Sequence, residues 1–287
     1  CPDVDIFADW DYISGLSKIE QTEIFKSFQA NSILHIFPRK EVASLAKKAG
    51  IKTRVGTSHR WYHWLYCNYL PSFTRKNANA HEAALNFMLL KPFGLKDLPS
   101  KEELNDYCRL QADDCLSDEM RMLPAKDKYN IILHPLSKGS AREWGFENYS
   151  KLISLLPEER FRIFISGTTT EASKMGSFLK ELPSHVIDIT GKTDLKGLMA
   201  FIDACDAIVA CSTGPLHIGA ALGKIAIGIY PPIRPMHPGR WAPLGGKARA
   251  LVVEKACNDC RKGGSCHCIM DVSPTHVACE LLSMLEN

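Results

Sequence analysis

The sequence predicts an α/β protein whose second half forms a doubly wound parallel sheet. Two observations carry that prediction. From residue 130 onward, short and wholly apolar runs recur, as strands buried on both faces do, and each is followed by apolar residues at helical spacing. Every run also ends in a polar, hydroxyl-rich loop, the kind of connection that passes a strand to a helix in a parallel crossover. At 287 residues the chain is long enough for two domains of ordinary size.

The first half, from Pro2 to about Leu98, reads as an incomplete α/β domain. Ser32 to Phe37 is strand-like, Val42, Leu45, Ala46 and Ala49 recur at helical spacing until Gly50, and Ile51 to Gly56 offers a second strand. That is one clear βαβ unit where an open doubly wound domain has five or six strands. The chain opens on Cys1, so the first strands are expected before it. Arg60-Trp-Tyr-His-Trp-Leu-Tyr66 is a dense aromatic patch, followed by the basic pair Arg75 and Lys76. It suits either a surface facing a membrane or glycolipid, or a helix packing its aromatics into the cleft between the domains; the packed helix is the expectation. His81 to Leu90 continues as an amphipathic helix. Gly94 to Lys128, polar and charged with Pro99 and Pro124, is the expected linker.

The second half alternates regularly. Asn130 to His134 is a strand, and Phe146, Tyr149, Leu152, Ile153 and Leu156 form one face of a helix that ends at Pro157. Phe161 to Ile165 follows as a strand, then a helix from about Glu171 to Leu182, a strand from Val186 to Ile189, and a helix marked by Leu195, Leu198, Met199 and Ile202. Ala207 to Ala210 with the helix after Gly214 makes a fourth unit, and Ile225 to Tyr230 a fifth strand. In an open parallel sheet ligands lie beyond the carboxyl ends of the strands, so four loops share one rim. These are His134-Pro-Leu-Ser-Lys138 continuing to Trp144, Ser166 to Glu171, Thr190 to Asp194, and Ser212-Thr-Gly-Pro-Leu-His217. Lys138, Arg142 and Lys192 bring positive charge to that rim, and the helix entered at Gly214 adds free N–H groups and a positive dipole end. Together they suit a diphosphate. Each has a plainer reading as well: Thr213 or Ser212 as a helix cap, Glu171 as a cap of its own helix, Lys138 as a solvated lysine.

Several classes find no support. No Gly-x-Gly-x-x-Gly or Walker loop is present, and no Asp-x-Asp pair ends a strand to hold a metal against phosphates. A net charge of +3 is too small to argue for nucleic acid, and no apolar run approaches the ~20 residues that cross a bilayer. The eleven cysteines, odd in number and scattered through apolar segments, fit a reducing cytoplasm better than a disulfide framework.

Four spaced motifs agree in order with a known family. His134-Pro-x-x-Lys138 with Arg142-Glu-Trp144, Ser166-Gly167 with Glu171, and Ser212-Thr-Gly-Pro-Leu-His-Ile-Gly-Ala-Ala-Leu-Gly223 resemble glycosyltransferase family 9, the ADP-heptose:lipopolysaccharide heptosyltransferases. The resemblance covers roughly Asn130 to the C-terminus, with looser agreement at Ala49 to Gly56 and in the basic stretch before His81. It implies a GT-B fold of two Rossmann-like domains: residues 1–124 on the acceptor side with the linker, and residues 125–287 holding the nucleotide sugar, with a closing tail helix from Asp271 to Leu285. It implies an inverting, metal-independent enzyme without a cofactor. Such an enzyme takes heptose from ADP-heptose to a lipopolysaccharide inner-core acceptor, in the cytoplasm at the inner membrane face. By position, Ser137, Lys138 and Arg142 would meet the diphosphate, Glu171 the ribose, Thr193 the base, and Ser212, Thr213, Gly214 and His217 the phosphate and sugar. Arg142 and His217 are the leaving-group candidates, and Arg75 and Lys76 the acceptor-side ones. The family's catalytic base is an Asp in a Gly-Asp loop after its first strand, expected before Cys1.

Two departures matter. Ser212 stands where the family often has Asp, which removes a partner for sugar hydroxyls and leaves another nucleotide sugar as an alternative. Arg142 stands where Lys is frequent, and keeps the charge with added bidentate reach. A nucleotide-sugar-binding protein without transfer activity is the alternative from a different class. Finally, Cys257-x-x-Cys260 with Cys266-x-Cys268 and His267 has part of a zinc-site spacing; reduced structural cysteines are the expectation.

Overall fold

The computed structural model of the chain describes residues 2–75, 80–233, 236–255 and 267–286. It contains two compact units, Asp3–Ser100 and a second from Lys101 onward. The first unit opens with α1 (Trp10–Ser14) and α2 (Lys18–Ser27), the latter started by a capping box in which Ser17 and Glu20 satisfy each other's backbone N–H groups. Then come β1 (Ser32–Leu34), α3 (Lys40–Lys48), β2 (Thr53–Val55) and α4 (His63–Tyr66). Helix α5 (Glu82–Phe87) runs on as a 3-10 turn, Met88–Phe93, that Gly94 ends at φ 93°. β1 and β2 pair in parallel, Ser32 opposite Thr53 and Leu34 opposite Val55. Ile13, Phe25, Leu45, Ala46 and Ile51 make one core cluster, and Val55, Phe73, Leu85 and Leu89 another.

The first strand is shorter than expected: β1 stops at Leu34, and Ile36 and Phe37 turn out to solvent. Within this unit Trp61 and Trp64 of the aromatic patch stay exposed. A helix as short as α4 has one inner face, and His63 takes it, so that Trp64 and Leu65 stand exposed beside Trp61.

The second unit begins within the stretch expected as a linker. Leu104 of α6 (Lys101–Tyr107) and Met120 of α7 (Asp118–Arg121) are buried, Met120 among Phe164 and Phe201. Backbone and side-chain bonds fasten the same stretch: Leu110 N–H donates to the Ala221 carbonyl at 2.8 Å, and Asn105 Oδ1 accepts from Gly245 N–H at 2.9 Å. These contacts carry residues 101–123 with the second unit.

Six parallel strands follow, joined by helices. In order they are β3 (Tyr129–His134), α8 (Phe146–Ser154), β4 (Phe161–Ile165), α9 (Thr169–Lys174), α10 (Gly176–Lys180), β5 (Val186–Asp188), α11 (Leu195–Asp203), β6 (Ala207–Cys211), α12 (Gly214–Ala221), β7 (Ile225–Tyr230), α13 (Pro238–Trp241), β8 (Ala248–Val252) and α14 (Pro274–Leu285). The sheet order is β5-β4-β3-β6-β7-β8. The chain winds outward from β3 to β5, then returns to β3's other side, so the crevice between β3 and β6 is the topological switch point. Alternate residues face opposite layers: Ile131, Leu133, Ile163 and Val209 pack with α8 and α14, while Ile132, Phe164 and Ile208 pack with α11 and α12. β8 was not expected, because Ala-Arg-Ala-Leu-Val is less apolar than its neighbours; as an edge strand it leaves Arg249 exposed. The helix expected from Glu171 to Leu182 is two pieces, broken where Met175 is buried beneath them.

Candidate functional site

The switch point places the loops after β3 and β6 side by side, with those after β4 and β5 on the same rim. Together they wall a cavity of about 570 Å³. Of the residues picked out from sequence, Ser137, Lys138, Glu171, Thr193, Thr213 and Gly214 line it. So do His134, Ser140, Gly167, Thr168, Asp194, Pro215 and the apolar pair Leu195 and Leu198.

The loop after β3 is held by its own bonds. Ser137 N–H and hydroxyl both reach Glu143 Oε1, at 3.1 and 3.0 Å, and the same hydroxyl accepts from Gly139 N–H at 3.2 Å. Lys138 and Gly139 sit consecutively in the left-handed region, at φ 49° and 80°. For a lysine that backbone costs about 1–2 kcal/mol, and the bonds around Ser137 hold it there. Further on, Trp144 anchors the loop. It is fully buried, its Nε1–H donates to the Val272 carbonyl at 2.9 Å, and its ring meets Tyr149 edge-on at 5.0 Å. Between these fixed ends, the Nε of partly buried Arg142 is enclosed and has no hydrogen-bond partner.

The loop after β6 has the same character. Thr213 takes the N-cap position of α12, but its side chain makes no capping bond, and its Oγ1 is buried without a partner. The capping role expected of Thr213 is therefore not played, and a hydroxyl facing burial is left unsatisfied. At Gly214 a Cβ would meet nothing within 4 Å, so packing does not demand the glycine, and the helix's first N–H groups lie open to approach. Gly219 differs: a Cβ there would lie 2.5 Å from Ile208 Cγ2, which is why α12 can press so closely onto β6. Ser212 and His217 are half-buried, His217 one turn into α12; neither they nor Arg142 line the cavity itself.

Two buried ionisable groups close the back of the site. Glu171 caps α9 reciprocally with Thr168, whose N–H and hydroxyl both donate to its Oε2 at 2.8 Å. Burial pushes the carboxyl up, but those two bonds, with His134 and Lys138 nearby, outweigh it and hold Glu171 below the usual carboxylate range. The capping reading and the cavity reading of Glu171 thus both hold. His134 ends β3 with Nδ1 2.9 Å from Ser166 Oγ, and burial, aided by Lys138 and opposed by Glu171, lowers its pKa. In the sequence His134 is part of a motif, and a polar residue ending a wholly apolar run is its signal.

On the first unit, Arg75 binds Glu82 through Nε and Asn86 Oδ1 through its terminal nitrogen at 2.7 Å, and stacks over Phe73. It is tied into its own unit. Lys76 lies outside the described residues, as do Cys257, Cys260 and Cys266 of the cysteine cluster. Cys268 is buried, and among the described residues no three potential ligands gather as a metal site.

The second unit, doubly wound with its crevice at the switch point, and the βαβ pair of the first are those of the GT-B glycosyltransferase class of fold. Solved structures agree: Escherichia coli ADP-heptose lipopolysaccharide heptosyltransferase II matches with a TM-score of 0.68 over 94% of this chain and 81% of its own, at 18% identity. A family 9 glycosyl transferase of Veillonella parvula matches at 0.67 over 99% and 82%, also at 18% identity. Residues 38–268 match the sequence profile of glycosyltransferase family 9 (heptosyltransferase), and the chain belongs to that family. Among relatives, a Haemophilus influenzae protein named by the glycosyltransferase class alone is 29% identical over 76% of this chain and 65% of its own length. Lipopolysaccharide heptosyltransferase 2 of Salmonella typhimurium is 28% identical over 51% of this chain and 44% of its own. The chain thus spans between about half and two thirds of these relatives.

Proposed function

We propose that this chain belongs to an inverting, metal-independent glycosyltransferase that moves heptose from ADP-heptose to a lipopolysaccharide inner-core acceptor. In this reading the second unit holds the donor, and the first serves the lipid-linked acceptor at a membrane face in the cytoplasm. The observation that carries it is the cavity at the switch point, where Lys138, the start of α12 and the buried, unpartnered Oγ1 of Thr213 converge. A buried polar group without a partner costs about 1–3 kcal/mol, and an entering diphosphate offers an acceptor to the Thr213 hydroxyl.

The chemistry follows from charge. As the acceptor hydroxyl attacks the anomeric carbon, negative charge grows on the departing diphosphate. Lys138, Arg142 and the N-terminal N–H groups of α12 stabilise it without a divalent ion. A single displacement of this kind inverts the anomeric centre. Glu171 Oε1 accepts from a ribose hydroxyl, Oε2 being engaged by Thr168. Thr193, with Leu195 and Leu198, flanks the base, and the family motif assigns His217 and Ser212 to the sugar side. The names of the matched enzymes support the donor: one is an ADP-heptose transferase, and another solved relative is a heptosyltransferase with ADP.

One observation favours a second reading of the sugar. Ser212 stands where the family often has an acid, which removes a partner for sugar hydroxyls, and a donor other than ADP-heptose would follow. Thermal-shift measurements with ADP, UDP, GDP and their sugars separate these. Stabilisation by ADP and ADP-heptose supports the first reading; stabilisation by UDP or GDP alone removes it. Transfer that survives EDTA, with an inverted product, checks the mechanism.

A further inference from the structure

Two acceptor atoms that the chain leaves without partners belong to residues walling the switch-point cavity. Glu171 gives Oε2 to the N–H and hydroxyl of Thr168, and its Oε1 has no hydrogen-bond partner among the described residues. His134 ends β3 almost wholly buried and bonds through Nδ1, 2.9 Å from Ser166 Oγ; its Nε2 also has no partner among the described residues. Both residues line the cavity, and each feels the other's charge. The bonds behind the ring decide what Nε2 presents. Besides the ring, the Ser166 hydroxyl has one acceptor in reach, the Leu133 carbonyl at 3.5 Å. Donating there, it accepts from Nδ1–H, and a ring protonated at Nδ1 carries a lone pair at Nε2. Burial, aided by Lys138, outweighs the pull of Glu171 and keeps the ring neutral.

We infer that His134 Nε2 is a second acceptor for the vicinal hydroxyls of a ribose, taking one while Glu171 Oε1 takes the other, so that the site selects ribonucleotides over deoxyribonucleotides. The inference rests on the reading of this cavity as the nucleotide site, and it adds a specificity-determining residue there. A ribose diol brings two donors, and one free carboxylate oxygen serves one of them. The oxygens of an ionised diphosphate bring no hydrogen to a lone pair; they belong with Lys138 and the first N–H groups of α12. A buried acceptor also discriminates well, because a ligand lacking the hydroxyl leaves it unpaired. Ribose is common to ADP, UDP and GDP, so the role of His134 holds whichever nucleotide the second unit takes.

Calorimetry of the full chain with ADP, 2′-deoxy-ADP and 3′-deoxy-ADP tests it; if UDP or GDP binds instead, its own deoxy forms serve. In the wild type, losing the hydroxyl on neutral His134 should weaken binding about threefold to tenfold, and losing the one on the Glu171 carboxylate about tenfold or more. His134→Phe should bind ADP and one deoxy analogue alike while still penalising the other, and Glu171→Gln should become indifferent to the opposite analogue. Ser166→Ala keeps the ring and removes the bond that sets its tautomer, so it should blunt the same discrimination as His134→Phe even where that variant folds poorly. Thermal midpoints of each variant report the fold separately. A wild type that binds ADP and both deoxy analogues equally overturns the inference and leaves the nucleotide site standing. So does His134→Phe or Ser166→Ala that retains both penalties, or His134→Phe that weakens all three ligands by one factor. A wild type that binds no nucleotide overturns the reading of the site, and the inference with it.

Discussion

Arg142 and Thr213 are where single residues speak most directly. Each holds a buried donor that the chain itself does not satisfy, so each should matter to ligand binding more than to folding. Arg142→Ala is expected to weaken ADP binding by about 1.5–3 kcal/mol, the worth of a charge-assisted hydrogen bond, measured by calorimetry; an unchanged affinity removes it from the site. Thr213→Val keeps the shape and deletes the unsatisfied hydroxyl. It should leave unfolding in urea unchanged, or raise stability by up to about 1 kcal/mol, while ADP binding falls. A third residue-scale effect concerns His35 in the first unit. Its ring lies 5.3 Å from that of His63, both Nε2 atoms are buried without partners, and burial followed by the His63 charge pushes its pKa down to about 4. The unfolded chain takes that proton near 6.5, so between the two values it binds more protons than the fold does. Stability should therefore fall as pH drops from about 6.5 to about 4, by about 3 kcal/mol from His35, with no further loss below. His63 and His134 are shifted the same way by burial. His35→Leu should flatten the slope of urea midpoints across that window; an unchanged slope would mean His35 is not the group responsible.

At the scale of elements, α12 and the loop after β3 show how close packing and strain prepare a site. Gly219 lets α12 lie on β6, and Gly219→Ala drives a methyl into Ile208, at an expected cost of about 1–3 kcal/mol in unfolding free energy. Lys138 is held at φ 49° by a loop bonded through Ser137 and Glu143. Lys138→Gly should relieve about 1 kcal/mol of backbone strain and yet weaken ADP binding, since the cation goes with the strain. Opposite signs in the two measurements distinguish a functional lysine from a structural accident. The elements themselves were legible to different degrees. β3, β4, β6 and β7 could be read because strands buried on both faces are apolar without interruption. β8 could not, because an edge strand is under no such demand.

For the whole molecule, the order of strands and helices carried the fold class, and with it the rim on which ligands collect. The rim gathers Lys138, Arg142 and the start of α12, and the family resemblance adds Ser137, Glu171, Thr193, Ser212 and His217; of these, Ser137, Lys138, Glu171, Thr193, Thr213 and Gly214 line one cavity, whereas Arg142, Ser212 and His217 do not. Residues whose fate depends on distant segments were harder to read. Trp144 is drawn under the loop by Val272, and the aromatics of α4 are turned outward because His63 fills its only inner face. Residues 101–123 look like a linker by composition, yet Leu104 and Met120 bury themselves in the second unit. The sequence by itself determined the strand order's alternation, the loops that meet at the switch point and the family motifs they bear, because periodicity and turn chemistry are local. Only the tertiary structure decided which of those polar groups are already satisfied and which, like Arg142 Nε and Thr213 Oγ1, are left waiting. Hydrogen-bond satisfaction is settled by neighbours far away in the chain, and no local pattern records them.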